Sequence, residues 1–177
     1  MYRENQEERL QLKTNRSLLK LIFLGLITLG IYPLVVYTKM SCEINVIASP
    51  YDRKKTMNYC LMVFVIAPLT LSIGAFVWCH RLSKRIGVEL ARRGLPYHFG
   101  AGTFWGCNLL SVLLMLALPV ICLYLIYAAT VLLPQLGIYW LMAALALVVV
   151  IAIGPMIYLH KLCTAMNMLC ADYNVRG

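Results

Sequence analysis

Histidine and cysteine stand close together twice in this sequence: His80 follows Cys79, and His160 precedes Cys163 by three residues. Soft ligands at equivalent places in two segments could hold a zinc ion between them. The pattern falls short, because zinc sites pair closely spaced ligands in both halves and the corresponding place in a third segment is Thr38. The histidines read instead as partners of headgroups or neighbouring backbone, with no metal and no cofactor. Cys163 and Cys170, on one helix, could be acylated, although an apolar thiol is the commoner state. The acids, Glu4, Glu7, Glu8, Glu43, Asp52, Glu89 and Asp172, all lie outside the apolar stretches. That placement argues against a proton relay or a substrate site inside a membrane. No Gly-x-Ser-x-Gly, His-Glu-x-x-His or phosphate-cradling glycine loop is present, so the chain is expected not to be an enzyme. The aromatic residues, among them Tyr32, Tyr37, Trp78, Trp105, Trp140 and Tyr158, fall near segment ends or breaks. They read as an interfacial belt rather than a cofactor box.

The basic residues are the stronger candidates. Lys39, Arg81 and Lys161 occupy the same place in a stretch that occurs three times, Ile31 to Ala48, Ile73 to Leu90 and Ile153 to Cys170, with no gap. Lys84 and Arg85 add to the second copy. These five are expected to contact lipid phosphates. A surplus of 16 Lys and Arg over 7 acids could also point to nucleic acid. The charges, however, flank apolar segments instead of lining one soluble face, which is the signature of membrane topology and excludes a nucleic-acid partner from the reading.

Apolar elements must carry these residues. The 177-residue chain is 62% apolar with a mean hydropathy of +0.78, well above the roughly 45–50% apolar content of soluble domains. No Asp, Glu, Lys or Arg lies between Arg93 and Lys161. Two spans of roughly 20 residues fit there, joined near Pro134 to Gly137. In the first copy Gly30-Ile31-Tyr32-Pro33 reads as helix stop, turn and helix start. Gly74 and Gly154-Pro155 hold the same register, so all three copies are expected to break there. After each break the apolar positions Met40, Ile44 and Ile47, then Leu82, Ile86 and Leu90, then Leu162, Met166 and Leu169 have helical spacing. Each unit is therefore expected to end in an amphipathic helix lying along the headgroups.

The expected organisation is a polar, mixed-charge segment over 1–16, with no removable signal peptide, and one membrane domain over 17–174 with units at about 17–48, 57–91 and 103–174. Two topologies compete for the first two units. If they cross the bilayer, Lys39 and residues 53–55 fall on the outer face, against the positive-inside rule. If they dip and return, every basic cluster is cytoplasmic, and arms of about 13 residues reach only ~20 Å. Dipping is preferred by a small margin, at the cost of a turn inside lipid whose backbone groups need partners.

The run from Arg16 through Gly30-Ile31-Tyr32, with Lys39 and Asn45 after it, resembles the bacterial membrane family called domain of unknown function 4234. So do Phe99 to Thr103 and the tail with Gly154-Pro155, His160-Lys161, Asn167 and Asp172 to Asn174. Copy two departs from the family's T-x-G-I-Y, with Ser72-Ile73-Gly74-Ala75 in its place, and the stretch from Leu113 to Val150 is more apolar. The resemblance implies a bacterial multi-pass membrane protein and brings no catalytic residues. The expected fold is an all-α integral membrane protein: a threefold repeat of Gly/Pro-broken apolar helices, each followed by an amphipathic interfacial helix, plus one full-depth transmembrane hairpin. It is expected in the inner membrane with both termini cytoplasmic. Its partners are expected to be anionic lipids and a second copy or another membrane protein. Scaffolding, partner recruitment or lipid organisation is the expected work, and a small transporter or channel with a site at the broken helices is the alternative.

Overall fold

The computed structural model describes residues 11–132 and 137–176, and among them every regular element is helical. Helix α1 spans Leu18–Ile27 and α2 spans Ile31–Asp52. Helix α3 covers Tyr59–Leu69 with a π turn over Met62–Ile66, and α4 covers Ile73–Arg92. Helix α5 runs over Ala101–Tyr127 into a second π turn, Ala128–Leu132, and α6 over Gly137–Arg176. The expected turn at Pro134 to Leu136, the residues before Gln11 and the side chain of Trp140 lie outside the described residues. The chain divides into two compact units, one of residues 1–104 and 160–177, the other of residues 105–159. The third sequence copy is thus shared between them.

In the first unit, α1 and α2 are joined at a turn where Leu29 and Gly30 have φ of +50° and +88°. Arg16 and Glu43, at matching distances on either side of that turn, form an ion pair. The two helices therefore run back alongside each other. The turn between α3 and α4 has the same build 42 residues on, with Leu71 and Ser72 at φ of +48° and +68°. A threonine organises both. Thr28 Oγ1 donates to Leu24 O and accepts from Tyr32 N at 2.9 Å; Thr70 Oγ1 donates to Ile66 O and accepts from Gly74 N at 2.9 Å. Gly30 N reaches Gly25 O at 2.8 Å, and Ser72 N reaches Ala67 O at 2.7 Å.

Two expected breaks are corrected. Gly74 lies inside α4, and the turn falls at Leu71 and Ser72 before it. A Cβ on Gly74 would sit 2.5 Å from Ile66 Cγ2, so glycine is there for close approach of α3. At Gly154 and Pro155 there is no break: α6 passes through both. The aligned residues are Val150, Ile151 and Ala152, which supply neither the capping threonine nor the glycine or serine that takes positive φ. Pro155 forfeits one backbone hydrogen bond without ending the helix. Gly154 serves packing instead, since a Cβ there would lie 1.9 Å from Cys107 O.

The apolar stripes of the expected interfacial helices are covered by protein. Met40, Ile44, Leu82, Ile86, Leu162, Met166 and Leu169 are all 0% exposed, and Ile47 and Leu90 are 1% exposed. These stripes are buried in one protein core, where each large side chain contributes roughly 1.5–3 kcal/mol. Their apolar faces are satisfied without lipid. The opposite holds for the second unit. Helices α5 and α6 are each long and apolar enough to cross a membrane. Within this unit most of their apolar side chains face outward, with Leu116, Val120 and Leu123 each at least 70% exposed.

Candidate functional site

Lys39, Arg81 and Lys161 each immediately precede a fully buried residue, Met40, Leu82 or Leu162. Neighbours on a helix point in different directions, so burying one turns the other outward. Lys39, Arg81 and Lys84 are exposed and Lys161 is half-buried. Among the described residues no ion pair involves any of the four.

Arg85 stands apart from them. Its guanidinium donates to both oxygens of Asp52, at 2.7 and 3.0 Å, and to Thr56 Oγ1 at 2.8 Å and Ser49 Oγ at 3.0 Å. The side chain is 10% exposed. Arg85 ties the end of α2 to α4, and its donors are already used, so it leaves the set of expected phosphate contacts. Burial opposes the charge on Asp52, but the hydrogen bonds from Arg85 outweigh it and hold the carboxyl below its ordinary range.

Aligned positions 45, 87 and 167 join the units. Asn45 Nδ2 donates to Thr56 O at 2.9 Å while Thr56 N donates to Asn45 Oδ1 at 2.6 Å. Asn167 Nδ2 donates to Arg16 O at 2.8 Å while Arg16 N donates to Asn167 Oδ1 at 3.1 Å. The third member is Gly87, where a Cβ would meet Phe99 O at 2.3 Å. Thus α2 grips the backbone leading into α3, α4 meets that leading into α5, and α6 grips that leading into α1.

Two buried charge groups complete the unit. Glu43, 9% exposed, pairs with Arg16; burial pushes its carboxyl up, against the pull of the guanidinium. Glu89, 3% exposed, accepts from Arg92 Nε at 2.9 Å and Arg93 Nε at 2.8 Å, and Arg93 Nη1 donates to Asp172 at 2.8 Å. Burial opposes charge on Glu89 too, but those two arginines hold its carboxyl low. Sequence reasoning gave Arg16 and Glu43 no role, because a buried ion pair between residues 27 apart leaves no local pattern.

On the outer side of α3 and α4 lies a groove of about 900 Å³. Ile66, Ile73 and Val77 line its apolar floor, and Lys54, Lys55, Arg81 and Lys84 its rim. Close by, Tyr37 and Tyr59 stack with ring centroids 4.7 Å apart, and Tyr59 lies 5.0 Å from Trp78. Tyr37 and Trp78 therefore belong to a cluster rather than a belt, with Trp78 Nε1 donating to Met57 O at 2.9 Å.

His80 is half-buried with polar partners, and His160 is exposed. Among the described residues no three His, Cys, Asp or Glu side chains come together as a metal site. Cys163 and Cys170 are buried, 2% and 0% exposed, out of reach of an acyl donor.

Residues 16–88, which contain α1 to α3 and most of α4, match the model of the family described as Domain of unknown function (DUF4234). That segment is similar to this family. The match takes in both threonine turns, the Asn45 grip and the rim of the groove, and ends before Glu89. The DUF4234 resemblance of the tail lies beyond the matched residues. No curated protein and no solved structure matches the chain.

Proposed function

We propose that this is a non-enzymatic membrane protein of the bacterial inner membrane that seats its two short helix pairs in the cytoplasmic leaflet and organises lipid or recruits a membrane partner there. One observation carries the reading: each turn at the tip of a pair points a leucine outward and closes its own amides. Leu29 is 93% exposed and Leu71 88% exposed. The amides of Leu29 to Tyr32 and of Leu71 to Ala75 all donate to groups of their own turn. A turn inside lipid is costly when its N–H groups lack partners, and the threonine turn removes that cost.

Length and charge support the same placement. Helix α1 has 10 residues, about 15 Å of helix, against a hydrocarbon core of ~30 Å. Lys20 Nζ bends towards the base of its pair and donates to Asn15 Oδ1 at 3.0 Å, as a snorkelling lysine does. A transporter built on two unwound elements has less support, because α6 is continuous through Gly154 and Pro155.

Topology tests the proposal. Lys55 is exposed and has no ion pair among the described residues, whereas Asp52 is held by Arg85. A single cysteine in place of Lys55, in a cysteine-free background, is expected to react with an impermeant maleimide only after cells are permeabilised. Labelling of intact cells would overturn the dipping arrangement.

A further inference from the structure

We infer that the groove along α3 and α4 is a binding site for a single anionic phospholipid, its phosphate held at the rim and one acyl chain laid along the floor. The inference rests on the membrane reading above and goes further by giving one element of the fold a defined lipid site. The volume, about 900 Å³, falls at the upper end of the ~300–1,000 Å³ range of small-molecule sites. Along α4 the lining passes from Ile73 and Val77 to Arg81, Lys84 and Arg85, with Val88 beyond them. Arg81 and Lys84 stand one helical turn apart on α4, and Lys54 and Lys55 face them from the α2–α3 link. The floor residues Ile73 and Val77 follow the same helix towards the turn, 65% and 44% exposed.

The charge balance selects an anion. Asp52 is the acid on the lining, and Arg85 neutralises it with Lys54 nearby, leaving Lys55, Arg81 and Lys84 without an acidic partner among the described residues. A small soluble anion would leave the floor unused, and a neutral lipid would leave the rim uncompensated. An anionic phospholipid satisfies both ends. The other copies do not repeat the arrangement. Position 84 corresponds to Cys42 in the first and Thr164 in the third.

Trp78 lines the groove and can report on it. With Trp105 and Trp140 replaced by phenylalanine, the protein is reconstituted in vesicles of phosphatidylcholine containing brominated phosphatidylglycerol or, separately, brominated phosphatidylcholine. Phosphatidylglycerol is expected to quench Trp78 at several-fold lower mole fraction. Arg81→Gln with Lys84→Gln should abolish that preference, and Val77→Trp, read by native mass spectrometry in detergent, should abolish retention of phosphatidylglycerol. Lys13→Gln, exposed and outside the groove, should change neither. Equal quenching by the two lipids, or an unchanged preference in the double variant, overturns the groove site while leaving the membrane reading intact. Absence of quenching by both lipids overturns both.

Discussion

Glu89 shows what single residues contribute to this fold. Its carboxylate is buried between Arg92 and Arg93, and Arg93 carries the link on to Asp172. Because its folded pKa lies below the ordinary 4.5, the carboxylate contributes stability that is complete above pH 4.5 and disappears as pH falls through the folded value. Removing one partner of a buried pair costs about 3 kcal/mol. Glu89→Gln is therefore expected to be less stable than the parent by about that amount at pH 7 in detergent denaturation. The difference should shrink steadily below pH 4.5. A gap that stays constant down to pH 3 would remove Glu89 from the ionised network. Glu43 works in the opposite sense, since its raised pKa makes its charge a cost that acid relieves, so only the paired comparison isolates Glu89. At this scale the aligned basic positions were legible in the sequence, since an invariant register and a flanking buried residue fix which way they point. Arg85 was misread because its partners, Asp52 and Thr56, come from another stretch of chain.

The elements turn on two threonines. Thr28 and Thr70 sit 42 residues apart, each followed by leucine, a residue with positive φ, and isoleucine. In copy two that signal begins at Thr70, two residues before the Ser72-Ile73-Gly74-Ala75 set against the T-x-G-I-Y of the first copy. The same offset shows why the third copy stays helical, with Val150 and Ala152 where the turn needs threonine and a residue tolerant of positive φ. The turns make an opposed pair of predictions. Gly30→Ala places a Cβ at φ +88° and should cost about 1 kcal/mol. Ser72→Gly relieves the same strain at φ +68° and should add roughly 0.5–1 kcal/mol. Thermal unfolding in one detergent checks both, and the same sign for the two variants would contradict the shared turn. Helical periodicity located the buried stripes correctly. It could not say whether protein or lipid covered them, because an apolar face has the same spacing whichever medium it meets.

On the scale of the molecule, the two apolar spans were legible from composition alone, as a charge-free stretch of that length has few other uses. The packing of the first unit was not, since it depends on grips between residues as far apart as Arg16 and Asn167. Those grips also decide what the covalent chain is needed for. Each joins a helix to a linking stretch outside it. The link at residues 53–55 is exposed, and the Asn45–Thr56 and Arg85–Asp52 contacts span it. Cutting there breaks a peptide bond without breaking an interface. Residues 1–54 and 55–177, co-expressed as separate chains with a tag on one, are expected to purify together and unfold as one species. Loss of that co-purification on Asn45→Ala would identify the grip as the joint. Co-purification of the two chains would mean that these contacts, and not the peptide bond between residues 54 and 55, hold the two parts together.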